Sequence, residues 1–106
     1  MTTFDERERG FEAKFAHDQD TRFLAAARRD KLFAHWAAEK LALDETATGE
    51  LTATVLHMPG GLGHEDRLLS LVGARLQDAG IIVDDQALAR ELRRCNQAAE
   101  DQVMRE

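Results

Sequence analysis

Apolar residues recur along this chain at intervals of three, four and seven, the period of a helix, and nowhere alternate with polar ones as a half-buried strand would require. The opening stretch, MTTFDERERGFEAKFAHD, carries Phe4, Phe11 and Phe15 at spacings of seven and four, which a helix stacks along one side. Between them stand Asp5, Glu6, Arg7, Glu8, Arg9, Glu12 and Lys14. The apolar stripe is narrow, and Gly10 costs a helix interior about 1 kcal/mol against alanine. Such a segment is marginal alone and suited to fold against another protein; the plainer alternative is that its stripe packs on the rest of the chain as another core helix.

Asp18, Gln19, Asp20 and Thr21 form a polar joint, where Asp20 or Thr21 can cap a helix over residues 21–43. Its apolar residues fall into two sets: Ala25, Leu32, Trp36 and Leu43 on one face, Phe23, Ala27, Ala34 and Leu41 on the opposite one. A helix apolar on two sides belongs at the centre of a bundle. With no proline between them, arm and helix form either one continuous rod or two pieces; a joint that straightens when the arm is bound is the reading favoured. Asp44 caps a second helix over 45–58, with Ala47, Leu51, Val55 and Met58 inward and Gly49 as a weak point. Pro59, Gly60, Gly61, Leu62 and Gly63 end it, because proline cannot donate and glycine is unrestrained.

His64, Glu65 and Asp66 open a third helix, the acids lying at the positive end of its dipole. Leu69, Val72, Leu76 and Ala79 give its inner face, and Gly80 stops it. Asp84 caps the last helix, with Val83 and Leu88 at the spacing of a hydrophobic staple. Leu88, Leu92, Cys95, Ala99 and Val103 form its core stripe, and fraying is expected from Glu100 onward. Four helices joined by short loops predict an all-α fold, an antiparallel four-helix bundle over residues 19–106, preceded by a flexible or conditionally helical arm over 1–18.

Composition narrows what such a fold can do. The chain's 106 residues allow one modest core. Lys and Arg number 14 against 20 Asp and Glu, a net charge of −6, which argues against nucleic acid and anionic membranes as partners. The single cysteine, Cys95, has no internal disulfide partner. With no apolar run near 18 residues and a charged N-terminus unlike a signal peptide, a cytoplasmic location is expected. No sustained heptad seam calls for a dimer, so the free chain is expected to be a monomer.

Little in the sequence points to catalysis. His17, His35, His57 and His64 include no helical i, i+4 pair, and Cys95 lies on a core stripe, so no metal site is expected. Ser70 is inside a predicted helix without a nucleophile's strained turn. Trp36, despite Arg28 and Arg29 upstream, has the spacing of a core residue. Gly60, Gly61, Gly63 and His64 alone could cradle a phosphate, glycines before a helix N-terminus leaving amides free for an anion. No strand precedes them, the P-loop lysine is missing, and Glu65 and Asp66 repel phosphate. Loop punctuation is the simpler role; the alternative is a small sensing module that binds adenine nucleotide weakly and has no other cofactor.

Asp5-Glu6-Arg7-Glu8-Arg9 with Phe11-Glu12-Ala13-Lys14-Phe15-Ala16-His17-Asp18 resembles the N-terminus of the zeta subunit of alpha-proteobacterial ATP synthases, an ATPase inhibitor. The resemblance continues through Ala27-Arg28-Arg29-Asp30-Lys31-Leu32, Trp36-Ala37-Ala38-Glu39 and Gly63-His64-Glu65-Asp66. It implies a four-helix bundle whose N-terminal segment enters the catalytic head of the F-type ATP synthase between an α and a β subunit, near the central stalk. There it blocks hydrolysis without being an enzyme itself. By position, the partner-binding residues would be Phe4, Asp5, Arg7, Glu8, Arg9, Phe11, Lys14, Phe15 and His17, with the phenylalanines as anchors and Arg7, Arg9 and Lys14 meeting acidic groups. The protein would be cytoplasmic, associating with the membrane-bound synthase without inserting into the membrane. Gly10 stands where the family has alanine, which should make the free arm less helical and weaken inhibition; residues 59–63 are also richer in glycine than the family pattern, and neither departure touches the aromatic spacing.

Overall fold

A computed structural model of the chain describes the backbone of residues 2–106 and the side chains of residues 19–106. Four helices follow one another: α1 (Thr2–Lys40), α2 (Glu45–Leu56), α3 (His64–Asp78) and α4 (Asp85–Met104), with no strand among the described residues. The four are packed about one core. α2 and α4 lie most extensively against α1, and α3 touches both α4 and α1. α1 is thus the central helix, as expected. It is also one uninterrupted helix. Where the pattern suggested a joint at Asp18 to Thr21, the backbone continues from the arm into the bundle, because polar residues without proline leave the i→i−4 ladder intact.

The buried face of α1 differs from both sets read from the sequence. Ala25, Arg29, Asp30, Phe33, Ala34, Ala37 and Ala38 are buried, a single stripe at helical spacing. Phe23 is 76% exposed and Ala27 is exposed, so the second face expected for them is solvent-facing at this end. Phe33, in neither expected set, is fully buried at the centre of the core. Trp36 is half-buried, stacked on Phe33 with ring centroids 5.5 Å apart, and Lys40 Nζ lies 5.9 Å from its ring. The small side chains of Ala34, Ala37 and Ala38 form the rest of this face, where neighbours can approach closely.

Across from this face stand Leu51 and Val55 of α2, Leu68, Val72 and Leu76 of α3, and Leu88, Leu92 and Cys95 of α4. Each fully buried leucine contributes about 1.5–3 kcal/mol of apolar transfer free energy. On α3 the inner row is His64, Leu68, Val72 and Leu76, with Leu69 half-buried and Ala79 exposed, a register shifted from the expected one. α4 buries all five residues of its expected stripe. The helix continues past Glu100 to Met104: Val103 is buried, and Arg28 of α1 donates to Gln102 Oε1 at 3.4 Å and pairs with the Glu106 carboxylate.

The helix ends have identifiable causes. Asp44 and Asp84 accept at Oδ1 from the amides of Ala47 (2.8 Å) and Ala87 (2.7 Å), each satisfying an orphan donor. α3 stops in a Schellman turn: Gly80 at φ +76° donates to Gln77 O, and Ile81 donates to Leu76 O. α1 stops the same way, with Ala42 donating to Glu39 O and Leu43 to Ala38 O, but its left-handed residue is Ala42 at φ +53°. α2 ends at Leu56, two residues before Met58, which still packs partly against the core.

Candidate functional site

The proposed partner-binding residues Phe4, Asp5, Arg7, Glu8, Arg9, Phe11, Lys14, Phe15 and His17 belong to the first half of α1, and their side chains lie outside the described residues. What the structure resolves is how this segment is carried. Its helix continues into Ala25 and Phe33, which are buried in the bundle. At a rise of about 1.5 Å per residue, Phe4 and Phe15 are separated by about 16 Å along the axis.

Near the point where α1 enters the bundle lies a buried polar cluster. Asp30 is 6% exposed and Arg29 8%, both on the core face of α1. Asp30 Oδ1 accepts from Arg29 Nε at 3.0 Å, and Asp30 Oδ2 lies 2.6 Å from His64 Nε2. His64 Nδ1 lies 2.8 Å from the Pro59 carbonyl oxygen. Both partners of the imidazole accept, so both bonds form together only with the doubly protonated ring. Arg29 also donates to Glu65 Oε1 at 2.8 Å. One carboxylate on α1 thereby ties down the α2–α3 loop and the start of α3. No buried side-chain nitrogen or oxygen among the described residues lacks a partner.

This cluster explains the glycine loop. Gly63 takes φ +80° as the N-cap of α3 and offers no side-chain cap, while Glu65 and Asp66 occupy the first turn. Arg67 folds back to donate to the carbonyls of Pro59 (3.0 Å) and Leu62 (3.3 Å). Of the residues considered for phosphate, Gly60, Gly61 and Gly63 line an open groove of about 670 Å³, and His64 has both ring nitrogens engaged within the protein. Phe23, Leu56, Met58 and Leu62 line the same groove.

Sequence reasoning placed His64 correctly at the start of α3 but did not connect it to Asp30, 34 residues earlier. A signal existed: the blocks Ala27 to Leu32 and Gly63 to Asp66, each family-like in sequence, meet through the Asp30–His64 contact. Elsewhere, His35 and His57 are exposed, His57 Nδ1 donating to its own helix at Ala53 O. Burial, and then the neighbouring Glu91 carboxylate, push the Cys95 thiol up to about 11. Such a thiol is a core side chain in chemical terms, protonated and enclosed. No three His, Cys, Asp or Glu side chains converge as metal ligands among the described residues.

Comparison with known proteins adds one finding. No curated protein and no solved structure gives a significant match. The family model described as ATPase inhibitor subunit zeta matches residues 1–102, covering the charged N-terminal segment, both halves of the Asp30–His64 cluster and most of α4. A match over nearly the whole length, running through arm and bundle alike, places this chain in the ATPase inhibitor subunit zeta family.

Proposed function

We propose that the protein inhibits ATP hydrolysis by the F-type ATP synthase, as a binding protein without catalysis of its own. Its N-terminal segment inserts as a helix between an α and a β subunit of the catalytic head, beside the central stalk, and blocks rotation in the hydrolytic direction. The observation that carries this reading is the family match, which begins at residue 1 and so includes the arm.

The physical arrangement supports it. Among the described residues, the core cluster is assembled from residues between Phe33 and Cys95. α1 extends about 25 Å from Thr2 to Asp18 along its axis, long enough to reach into a cleft that a bundle cannot enter. Phe4, Phe11 and Phe15, at i, i+7 and i+11, have the spacing of anchors for a helix lying in a groove. The chain acts at the synthase head from the cytoplasm as a monomer; no helix among the described residues is long and apolar enough to cross a membrane.

Deleting residues 1–18 tests this. The truncated protein should keep its helical signal and cooperative unfolding yet lose inhibition of the purified ATPase head; full inhibition without the arm would refute the mechanism. The competing adenine-nucleotide module predicts ATP-induced amide shifts centred on Gly60 to Asp66, together with no effect of the protein on ATPase activity.

A further inference from the structure

Large apolar side chains left in solvent are unevenly placed on this molecule. Phe23 is 76% exposed, Leu24 52%, Leu56 47%, Leu62 101% and Met104 78%. Phe23, Leu56 and Leu62 line one groove beside the glycine loop, together with Met58, Ala26 and Ala27. On the other flank of α1, Met104 lines a second groove with Thr21, Arg22, Ala25 and Asn96, and the two grooves share Ala26 and Arg29. Apart from Ile82, 98% exposed in the loop between α3 and α4, the large exposed apolar side chains among the described residues therefore form a collar around α1 where the helix leaves the bundle. Folding did not require these side chains to be exposed there, and monomeric proteins seldom gather such residues without a partner.

We infer that the groove lined by Phe23, Leu56 and Leu62 is a second docking surface for the protein that receives the N-terminal segment. Its occupant is an apolar side chain of that protein flanked by a basic residue. This deepens the proposed function and rests on it. Two observations identify the occupant. First, α1 is continuous, so Asp18 and Phe23 are only about 7.5 Å apart along the axis. A protein that grips the helix up to residue 18 brings its surface against the collar. Second, the groove is lined by Asp30, Glu65 and Asp66 with Arg29 and His64; Asp30 is held by Arg29 and His64 and Glu65 by Arg29, which leaves Asp66. Asp66 is exposed at the rim. The groove thus offers apolar area with residual negative charge, the complement of an apolar side chain beside a lysine or arginine.

The test measures half-maximal inhibition of the purified ATPase head by the full chain, by Phe23→Ser/Leu62→Ser, and by Asp66→Lys. Both altered side chains of the double variant are solvent-exposed, so its thermal unfolding should match the parent, which circular dichroism checks directly. The expected result is a tenfold or greater rise in the half-maximal concentration for the double variant, a smaller rise for Asp66→Lys, and unchanged inhibition at saturation. An unchanged half-maximal concentration for the double variant overturns the second surface and leaves the arm mechanism standing. Absence of inhibition by the unaltered chain overturns both. Sedimentation of the full chain alone adds a further check: a dimer abolished by Phe23→Ser/Leu62→Ser would assign the groove to a second copy and overturn the inference.

Discussion

Replacing Asp30 with alanine should be among the most damaging single changes available in this bundle. The carboxylate is 6% exposed and serves two donors, Arg29 Nε at 3.0 Å and His64 Nε2 at 2.6 Å. Without it, the buried Arg29 keeps only Glu65, whose side chain is 64% exposed and whose pairing in solvent is worth little. His64 keeps Pro59 but loses its only side-chain acceptor. Breaking a buried pair by removing one partner costs about 3–5 kcal/mol. The surviving bond to Glu65 places Asp30→Ala at about 3 kcal/mol, against a total stability of about 5–15 kcal/mol for a domain.

Urea unfolding followed by far-UV circular dichroism and by Trp36, the sole tryptophan, measures this directly. A double-mutant cycle with His64→Ala sharpens it. Once Asp30 is gone, His64 has less to lose, so the double variant should be more stable than the two single losses imply, by about 1–3 kcal/mol. A loss below about 1 kcal/mol for Asp30→Ala, or additivity within about 0.5 kcal/mol, would show that the cluster does not hold the loop to α1.

Four further outcomes follow from local structure. Ala42→Gly should stabilise the protein by about 0.5–1 kcal/mol in the same unfolding assay, because Ala42 occupies the left-handed position of the α1 terminus at φ +53°; no gain would refute that reading of the turn. Cys95 should resist alkylation at pH 8 in the folded protein and react fully once unfolded. Its thiol ionises near 9 in the unfolded chain and about 11 when folded, so the unfolded state binds fewer protons between those values and stability should fall as pH rises through that window; an unchanged urea midpoint from pH 8.5 to 10.5 would contradict the burial argument. Gly10→Ala should lower the concentration for half-maximal inhibition about fivefold, the equivalent of about 1 kcal/mol of helix propensity; unchanged inhibition would mean the arm does not bind as a helix through residue 10.

The parts of the fold legible in sequence were those where burial and apolarity coincide. α4 shows this best: Leu88, Leu92, Cys95, Ala99 and Val103 repeat at helical spacing and all are buried. Asp44, Asp84 and Gly80 were equally readable, since caps and left-handed stops have strong residue preferences. The faces of α1 and α3 were misread for a common reason. Arg29 and Asp30 interrupt the buried stripe of α1, and His64 heads that of α3, so the charged residues that look solvent-facing hide Phe33 and Leu68 beside them. One buried polar cluster, joining residues 34 apart, thus accounts for both errors. No one-dimensional pattern reveals such a pair. The C-terminal turn was underestimated for a related reason: its anchors, Arg28 with Gln102 and Glu106, also span the chain.

The continuity of α1 bears on how strongly the arm can act, and a single substitution can separate its effect from that of the arm's own residues. A free segment of eighteen residues must nucleate its helix before it can extend, a step with an equilibrium factor of about 10⁻³. When the same residues continue a helix whose next turns are buried at Ala25, Arg29 and Phe33, the nucleus already exists and each arm residue adds by propagation. Asp20→Pro breaks this link. Residue 20 is exposed and precedes the first buried position, so the bundle should unfold as before, while the proline removes a backbone hydrogen bond and disfavours the helix across the break by about 3 kcal/mol. Inhibition should then weaken by about a hundredfold with every partner-contacting residue intact. If Asp20→Pro inhibits as well as the parent, the arm gains nothing from the helix behind it, and the bundle serves only to deliver the peptide.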